Sequence, residues 1–171
     1  MQLSKADRYT PTGRADINNL LDRVRKHVAS VLQKYGRLAL ELDQSLPTLN
    51  LNQIAVEQAM VNLISNAAQS SASEIAIKTE RRGSHARITI SDNGVGIAPE
   101  EIEHVFDPFY TTRRSQGDSG LGLILVHRII SDHDDTTKAR SVLGEGTQFV
   151  VHLPLPQEED DHTPSRSHNQ R

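Results

Sequence analysis

From Asp16 onward, apolar residues recur at three- and four-residue steps. Ile17, Leu20, Leu21, Val24, Val28, Val31 and Leu32 share one face. That spacing predicts an amphipathic helix with Asp16 as its N-cap. Gly36 lies past its end, and Leu38, Leu40 and Leu42 then alternate as strand residues do. Ser45-Leu46-Pro47 turns the chain, and a second helix is predicted from about Asn52 to Ser70. Two alternating segments follow, Ile75 and Ile77, then Ala86, Ile88 and Ile90. Arg81-Arg82-Gly83-Ser84 is the hairpin connection between them. After a glycine-bearing loop, a short helix is predicted near Glu100–Val105 and a long polar loop over Asp107–Ser119. A third helix begins near Gly120 and continues through Leu123, Ile124, Val126, Ile129 and Ile130. Two last strands are expected near Thr137–Val142 and Thr147–Leu153.

This order lacks the regular strand–helix alternation of a doubly wound sheet. It predicts an α+β sandwich, with helices on one face of a mixed sheet. Residues 1–15 carry turn formers and no period, so they read as a lead-in. The domain is expected over 16–155. Pro154 and Pro156 end it, and the tail, 156–171, has no aliphatic residue and is expected to be disordered.

Composition narrows the picture. The 171 residues suit one domain, and a chain of that size buries enough surface to fold without a staple. With 3 Phe, 3 Tyr and no Trp, the core must be aliphatic. The absence of cysteine excludes disulfides, thiolate catalysis and cysteine zinc sites. A net charge of -3 argues against a general nucleic-acid partner. No apolar run approaches the roughly 20 residues of a membrane helix, and Met1–Arg14 has no signal-peptide core. The expectation is a soluble cytoplasmic domain without direct membrane contact.

Four stretches carry candidate chemistry. On the second helix, Asn62, Asn66 and Gln69 form a polar arc apart from the apolar arc of Val56, Met60, Leu63, Ile64 and Ala67. Asparagine is a mediocre helix former. Two of them one turn apart either face a cation or phosphate, or form a solvated face. Asp92-Asn93-Gly94-Val95-Gly96-Ile97 follows a strand. Its carboxylate can accept a hydrogen bond from an exocyclic amine, and the alternative is an ordinary Asn-Gly turn. Gly117-Asp118-Ser119-Gly120-Leu121-Gly122-Leu123 opens a helix, where backbone N–H groups make an anion site. It is neither a Walker A loop nor a Rossmann fingerprint. The alternative is a flexible linker into a buried helix. Gly144-Glu145-Gly146-Thr147 precedes the last strand and by itself is a hairpin turn.

The order of these stretches resembles the ATP-binding catalytic domain of sensor histidine kinases, within the GHKL superfamily of gyrase, heat-shock ATPases, histidine kinases and MutL. The resemblance covers roughly residues 16–155. The N box looks like Gln58…Asn62-Leu63-Ile64-Ser65-Asn66-Ala67-Ala68, and the G1 box like Asp92–Ile97. The F box looks like Val105-Phe106-Asp107-Pro108-Phe109-Tyr110-Thr111-Thr112-Arg113, and the G2 box like Ser119–Leu123. The closing strand resembles Gly-Thr-x-Phe at Gly146–Phe149. The lid is most similar to kinases of the nitrogen-regulation and dicarboxylate-sensing type. The resemblance implies a Bergerat-type two-layer sandwich with a mainly antiparallel sheet and a mobile ATP lid. It implies ATP and Mg²⁺ as ligands, with Asp92 on the adenine amine and Thr147 assisting through water. Gly94, Gly96 and Ile97 would form the adenine pocket, and Asn66 would hold the metal. Asn62 would support the phosphate region, and Gly120 and Gly122 would offer backbone donors. Phe106 and Phe109 would anchor the lid. The nucleotide set also takes in Thr111, Thr112, Ser119 and Leu121. Arg113 or Arg114 would reach the γ-phosphate, or would be solvated lid charge. In the hydrolysing branches a glutamate stands one turn before the metal Asn. Asn62 has no proton-accepting carboxylate there, which favours phosphoryl transfer over hydrolysis.

The chain departs from the family's pattern in three places. Asp118 occupies the position of the first G2 glycine. His133-Asp134-Asp135 stands where His-Gly-Gly is usual, and aspartate adopts positive φ only at some cost. Gln69 replaces the basic residue that often follows the N box. None of the eight histidines, His27, His85, His104, His127, His133, His152, His162 and His168, sits in a phosphoacceptor motif. The expected partners are therefore a His-bearing dimerisation domain and, downstream, a response-regulator receiver domain, in a parent that is soluble or membrane-anchored. The alternatives are a degenerate or regulatory nucleotide-binding module, and a serine kinase of the anti-sigma type.

Overall fold

The computed structural model describes residues 9–34, 36–111 and 119–157. In chain order the elements are β1 (Gly13–Ala15), α1 (Ile17–Leu32), β2 (Arg37–Glu41), β3 (Leu49–Leu51), α2 (Gln53–Gln69) and β4 (Glu74–Arg82). They continue with β5 (His85–Asp92), α3 (Pro99–Ile102), α4 (Gly122–Ser131), β6 (Thr137–Val142) and β7 (Gly146–Pro154). The five long strands form one sheet in the order β2-β4-β5-β7-β6. The β2–β4 pair is parallel and the other three are antiparallel. This is the expected α+β architecture.

Strand alternation decides which face is covered. Ile75, Ile77, Ala86, Ile88, Ile90, Phe149, Val151 and Leu153 are buried, and they belong to one core cluster with Leu20, Leu21, Val24, Met60, Leu63, Ile129 and Ile130 of the helices. The core therefore lies between α1, α2 and α4 and one face of the sheet. Asp16 caps α1, accepting hydrogen bonds from the N–H groups of Asn18 and Asn19. A buried polar clip ties that helix to the sheet: Thr79 Oγ1 donates to Asn18 Oδ1 at 2.9 Å, and Asn18 Nδ2 donates to Asp43 O at 2.8 Å.

The folded part starts earlier than the boundary at residue 16. Gly13–Ala15 pairs antiparallel with Leu49–Leu51 as a separate two-stranded sheet. Ala15, Leu49 and Leu51 are buried, and the Tyr9 N–H donates to Asp132 Oδ2 at 2.8 Å. Three-residue strands show too little alternation to be seen in sequence. The short helix also ends sooner than expected, at Ile102, and α4 begins at Gly122 rather than Gly120. The expected tail lies outside the described residues from 158 on. Among the described residues, no helix is long and apolar enough to cross a membrane.

Helices α2 and α4 run antiparallel, and α4 is pinned to α2 at both of its ends. At one end Asn62 Nδ2 donates to Gly122 O at 3.3 Å. At the other, buried His133 accepts from the Asn52 N–H through Nε2 at 2.9 Å, and its Nδ1 lies 2.7 Å from Ile129 O. An amide can only donate and a carbonyl can only accept, so the ring is neutral with its proton on Nδ1. Asp134 beside it takes φ 60, the left-handed conformation that glycine would adopt freely. Asp135 turns its carboxylate to His85, with Oδ2 3.1 Å from Nε2.

Candidate functional site

A cavity of about 340 Å³ opens between α2, the loop after β5, the start of α4 and the β6–β7 end of the sheet. That size falls within the range of small-molecule sites. Of the expected residues, it gathers Asn62, Asn66, Asp92, Gly96, Ile97, Thr111, Ser119, Gly120, Gly122 and Thr147 in its wall. Gln69, the third member of the polar arc, lines it too, so the arc faces the cavity. Thr112, Arg113, Arg114, Gly117 and Asp118 lie outside the described residues.

Three expected contributors stand elsewhere. Gly94 is not part of the wall. A Cβ there would overlap Ser70 Oγ, and the next N–H, that of Val95, donates to Ser70 O at 3.0 Å. The glycine lets the loop rest on the end of α2, so it shapes the pocket from behind rather than touching its contents. Phe109 is 63% exposed at φ 62 and so does not anchor the lid by burial. Its neighbour Phe106 packs against the core, with its ring 6.2 Å from that of Phe149. Leu121 is the N-cap of α4, 44% exposed, and not part of the cavity wall.

Asp92 is the last residue of β5, placed opposite Ile75 on one side and Thr147 on the other. Its Oδ1 accepts from the Gly94 N–H at 2.8 Å and lies 3.1 Å from Ser70 Oγ. Burial pushes its carboxyl above the ordinary aspartate value, against the hydrogen bonds from Gly94, Ser70 and the Thr147 backbone. Thr147 is buried, and its Oγ1 lies 2.8 Å from Ser141 Oγ. Ser141 Oγ also accepts from the Ile97 N–H at 2.7 Å and donates to Gly146 O at 2.8 Å.

The opposite end is more open. Gly122 begins α4, and a side chain there would meet nothing within 4 Å. Gly120, at φ 69, sits against the backbone of Phe109 and Tyr110, and the Phe109 N–H donates to Gly120 O at 3.2 Å. That contact joins the two ends of the lid segment. Asn62 has both amide atoms engaged, since Oδ1 accepts from Gln58 Nε2 at 2.9 Å. The arrangement therefore has an acceptor-rich, half-buried end and, opposite it, the start of a helix, whose first N–H groups have no partner within the helix itself.

Ser65, Ser70, Val95, Val105, Tyr110 and Leu123 also line the cavity and were not among the expected site residues. Ser65 and Ser70 extend the Asn62–Asn66–Gln69 arc along α2, which is the signal that could have found them. Ser141 stands behind Thr147 and carries no motif of its own.

Residues 51–157, more than half of the chain, match the family described as Histidine kinase-, DNA gyrase B-, and HSP90-like ATPase. The chain is 31% identical over 167 residues to sensor protein RprX of Bacteroides fragilis, covering 91% of this chain and 32% of that protein. It is 40% identical over 109 residues to sensor protein SrrB of Staphylococcus aureus, covering 60% of this chain and 18% of that one. The chain thus spans about a third or less of these relatives. Among solved structures, the catalytic domain of histidine kinase ThkA superposes with TM-score 0.74 at 25% identity, covering 83% of this chain and 94% of that domain. Full-length ShkA in complex with AMPPNP shares the fold, with TM-score 0.75 at 23% identity over 84% of this chain and 31% of that one. The chain belongs to the histidine kinase-, DNA gyrase B- and HSP90-like ATPase family.

Proposed function

We propose that the cavity binds ATP with Mg²⁺ and that the domain donates the γ-phosphoryl group to a histidine on a separate dimerising helical hairpin, from which a receiver aspartate of a response regulator would take it. The observation that carries this reading is the convergence of Asp92, Asn66 and the first turn of α4 on one cavity. Asp92 suits the exocyclic amine of adenine, with Thr147 beside it for a bridging water and Gly96 and Ile97 along the base. The start of α4 suits phosphate oxygens, because its backbone donors are unsatisfied by the helix itself and Gly122 leaves room for a close approach. The sequence of the F box, Val105 to Arg113, supports the nitrogen-regulation and dicarboxylate-sensing branch.

The donor set fits magnesium. Among the described residues, no three His, Cys, Asp or Glu side chains gather to cage a metal. Mg²⁺ in phosphotransfer sites takes one or two protein oxygens and fills its shell with phosphate oxygens and water. The carboxamide oxygen of Asn66 is the protein's contribution, and the bound metal would neutralise charge on the phosphates. Asn62 braces the start of α4 through Gly122 and cannot activate water as a base, which favours transfer over hydrolysis. Arg113 and Thr112 belong to the lid in this reading, Arg113 as a partner of the transferring phosphate.

Titration calorimetry of the chain with ATP, with and without Mg²⁺, tests the binding half. Incubation with γ-labelled ATP and a separately prepared His-bearing hairpin tests the transfer half. Label on the hairpin is expected. Binding without transfer would overturn the kinase half, and no binding at all would overturn the whole reading.

A further inference from the structure

Three strands bring three polar side chains into one row at the base end of the cavity. Asp92 on β5 is paired with Thr147 on β7, and Thr147 is paired with Ser141 on β6. Their side chains share the helix-facing side of the sheet, in step with Ile90, Phe149 and Ala139.

The hydrogens in this row can be counted. Ser141 has one hydroxyl hydrogen. Gly146 O, a pure acceptor 2.8 Å away, takes it. The Ile97 N–H, a pure donor, occupies one lone pair of Ser141 Oγ at 2.7 Å. The remaining contact is the 2.8 Å approach of Thr147 Oγ1. It is satisfied when Thr147 donates into the second lone pair of Ser141. Thr147 then has no hydrogen left for the cavity and turns only lone pairs toward it. Asp92 beside it, as a carboxylate, also offers only acceptors.

We propose that Ser141 is a specificity-determining residue. By holding the Thr147 proton, it makes the base end of the cavity an acceptor-only surface that takes a 6-aminopurine nucleotide and refuses a 6-oxopurine one. This rests on the nucleotide reading above. An adenine presents two hydrogens on its amine: one meets the Asp92 carboxylate, the other Thr147 or a bridging water whose two hydrogens are spent on Thr147 and Asp92. A hypoxanthine or guanine base presents a carbonyl oxygen at the same position, and a buried mismatch of that kind is costly. Thr147 alone does not give this selectivity, because a free hydroxyl rotates to donate to an oxo group as readily as it accepts from an amine.

The test is calorimetric binding of ADP and of inosine diphosphate to the whole chain, with thermal unfolding to show that each variant is folded. The wild type is expected to prefer ADP by at least about tenfold. Ser141→Ala frees the Thr147 hydroxyl and should narrow that ratio by about fivefold to tenfold. Ser141→Cys is near in shape but accepts weakly, and should narrow it likewise should the alanine variant prove unstable. Ser141→Thr keeps the hydroxyl and should keep the ratio, which a loss of packing alone would not reproduce. A folded Ser141→Ala or Ser141→Cys variant with the wild-type ratio overturns the proposal. So does a wild type that binds the two diphosphates equally while still binding ADP. A wild type that binds neither overturns the nucleotide reading itself, and this inference with it.

Discussion

The two ends of the cavity are built on opposite plans. At the base end the polar groups are held by protein partners: Asp92 through Oδ1 by Gly94 and Ser70, and Thr147 by Ser141. The loop there leans on the end of α2 so closely that Gly94 has no room for a side chain. At the other end, Gly122 faces open space at the first turn of a helix. A site that must recognise one flat base gains from fixed partners, because little ordering remains to be done on binding. A site that must receive a charged tail needs donors not yet used.

Substitutions that separate affinity from stability sharpen this contrast. The largest effect is expected from Asp92→Asn, which loses the charged acceptor and should weaken ATP and ADP alike by roughly a hundredfold in calorimetry. Asn66→Ala should weaken ATP by about tenfold or more with Mg²⁺ present, and chelating the metal from the wild type should mimic it. Equal losses with and without metal would place Asn66 outside the metal site. A glycine pair then divides the two ends. Gly94→Ala should lower stability by about 1–3 kcal/mol in chemical denaturation, because the Ser70 contact must open. Gly122→Ala should leave stability within about 0.5 kcal/mol and reduce nucleotide affinity instead. Reversal of that pattern would break the comparison.

The smallest effect concerns pH. Burial raises the Asp92 carboxyl above its ordinary value in the folded state. A raised value means that the folded state binds the proton more tightly than the unfolded chain. Asp92 therefore contributes most to stability below the ordinary aspartate range, and that contribution is lost as pH rises through its folded value. At neutral pH the nucleotide-free Asp92→Asn protein should melt slightly above the wild type, with the gap closing on acidification. Nucleotide affinity should run the other way and fall as Asp92 takes up its proton, since a protonated oxygen no longer accepts from the amine. Melting curves across mildly acidic pH check both signs.

Much of this was legible in the chain. Ile17–Leu32 and Gln53–Gln69 declare themselves because long helices repeat their period several times. Asn62 and Asn66 were visible as polar residues out of place on a helix, and Asp92 as a carboxylate closing a strand. β1 and β3 were not legible, since three residues cannot establish a period. Gly94 and Phe109 were seen, but with the wrong neighbours. A glycine signals that some atom comes close without saying whether it belongs to a ligand or to Ser70. An aromatic residue signals apolar surface without saying that its backbone turns it outward. Ser141 was silent because its importance lies in which hydrogen it accepts, and that depends on Thr147 and Ile97, which only the folded sheet brings to it.

Helix α4 is a short, stiff rod. Ten residues give it a length of about 15 Å. Its first turn borders the cavity, and just beyond its last turn Asp132 grips the N–H of Tyr9 on the incoming segment. The cavity and the anchorage of the segment around Tyr9 therefore sit at opposite tips of one helix, with no loop between them.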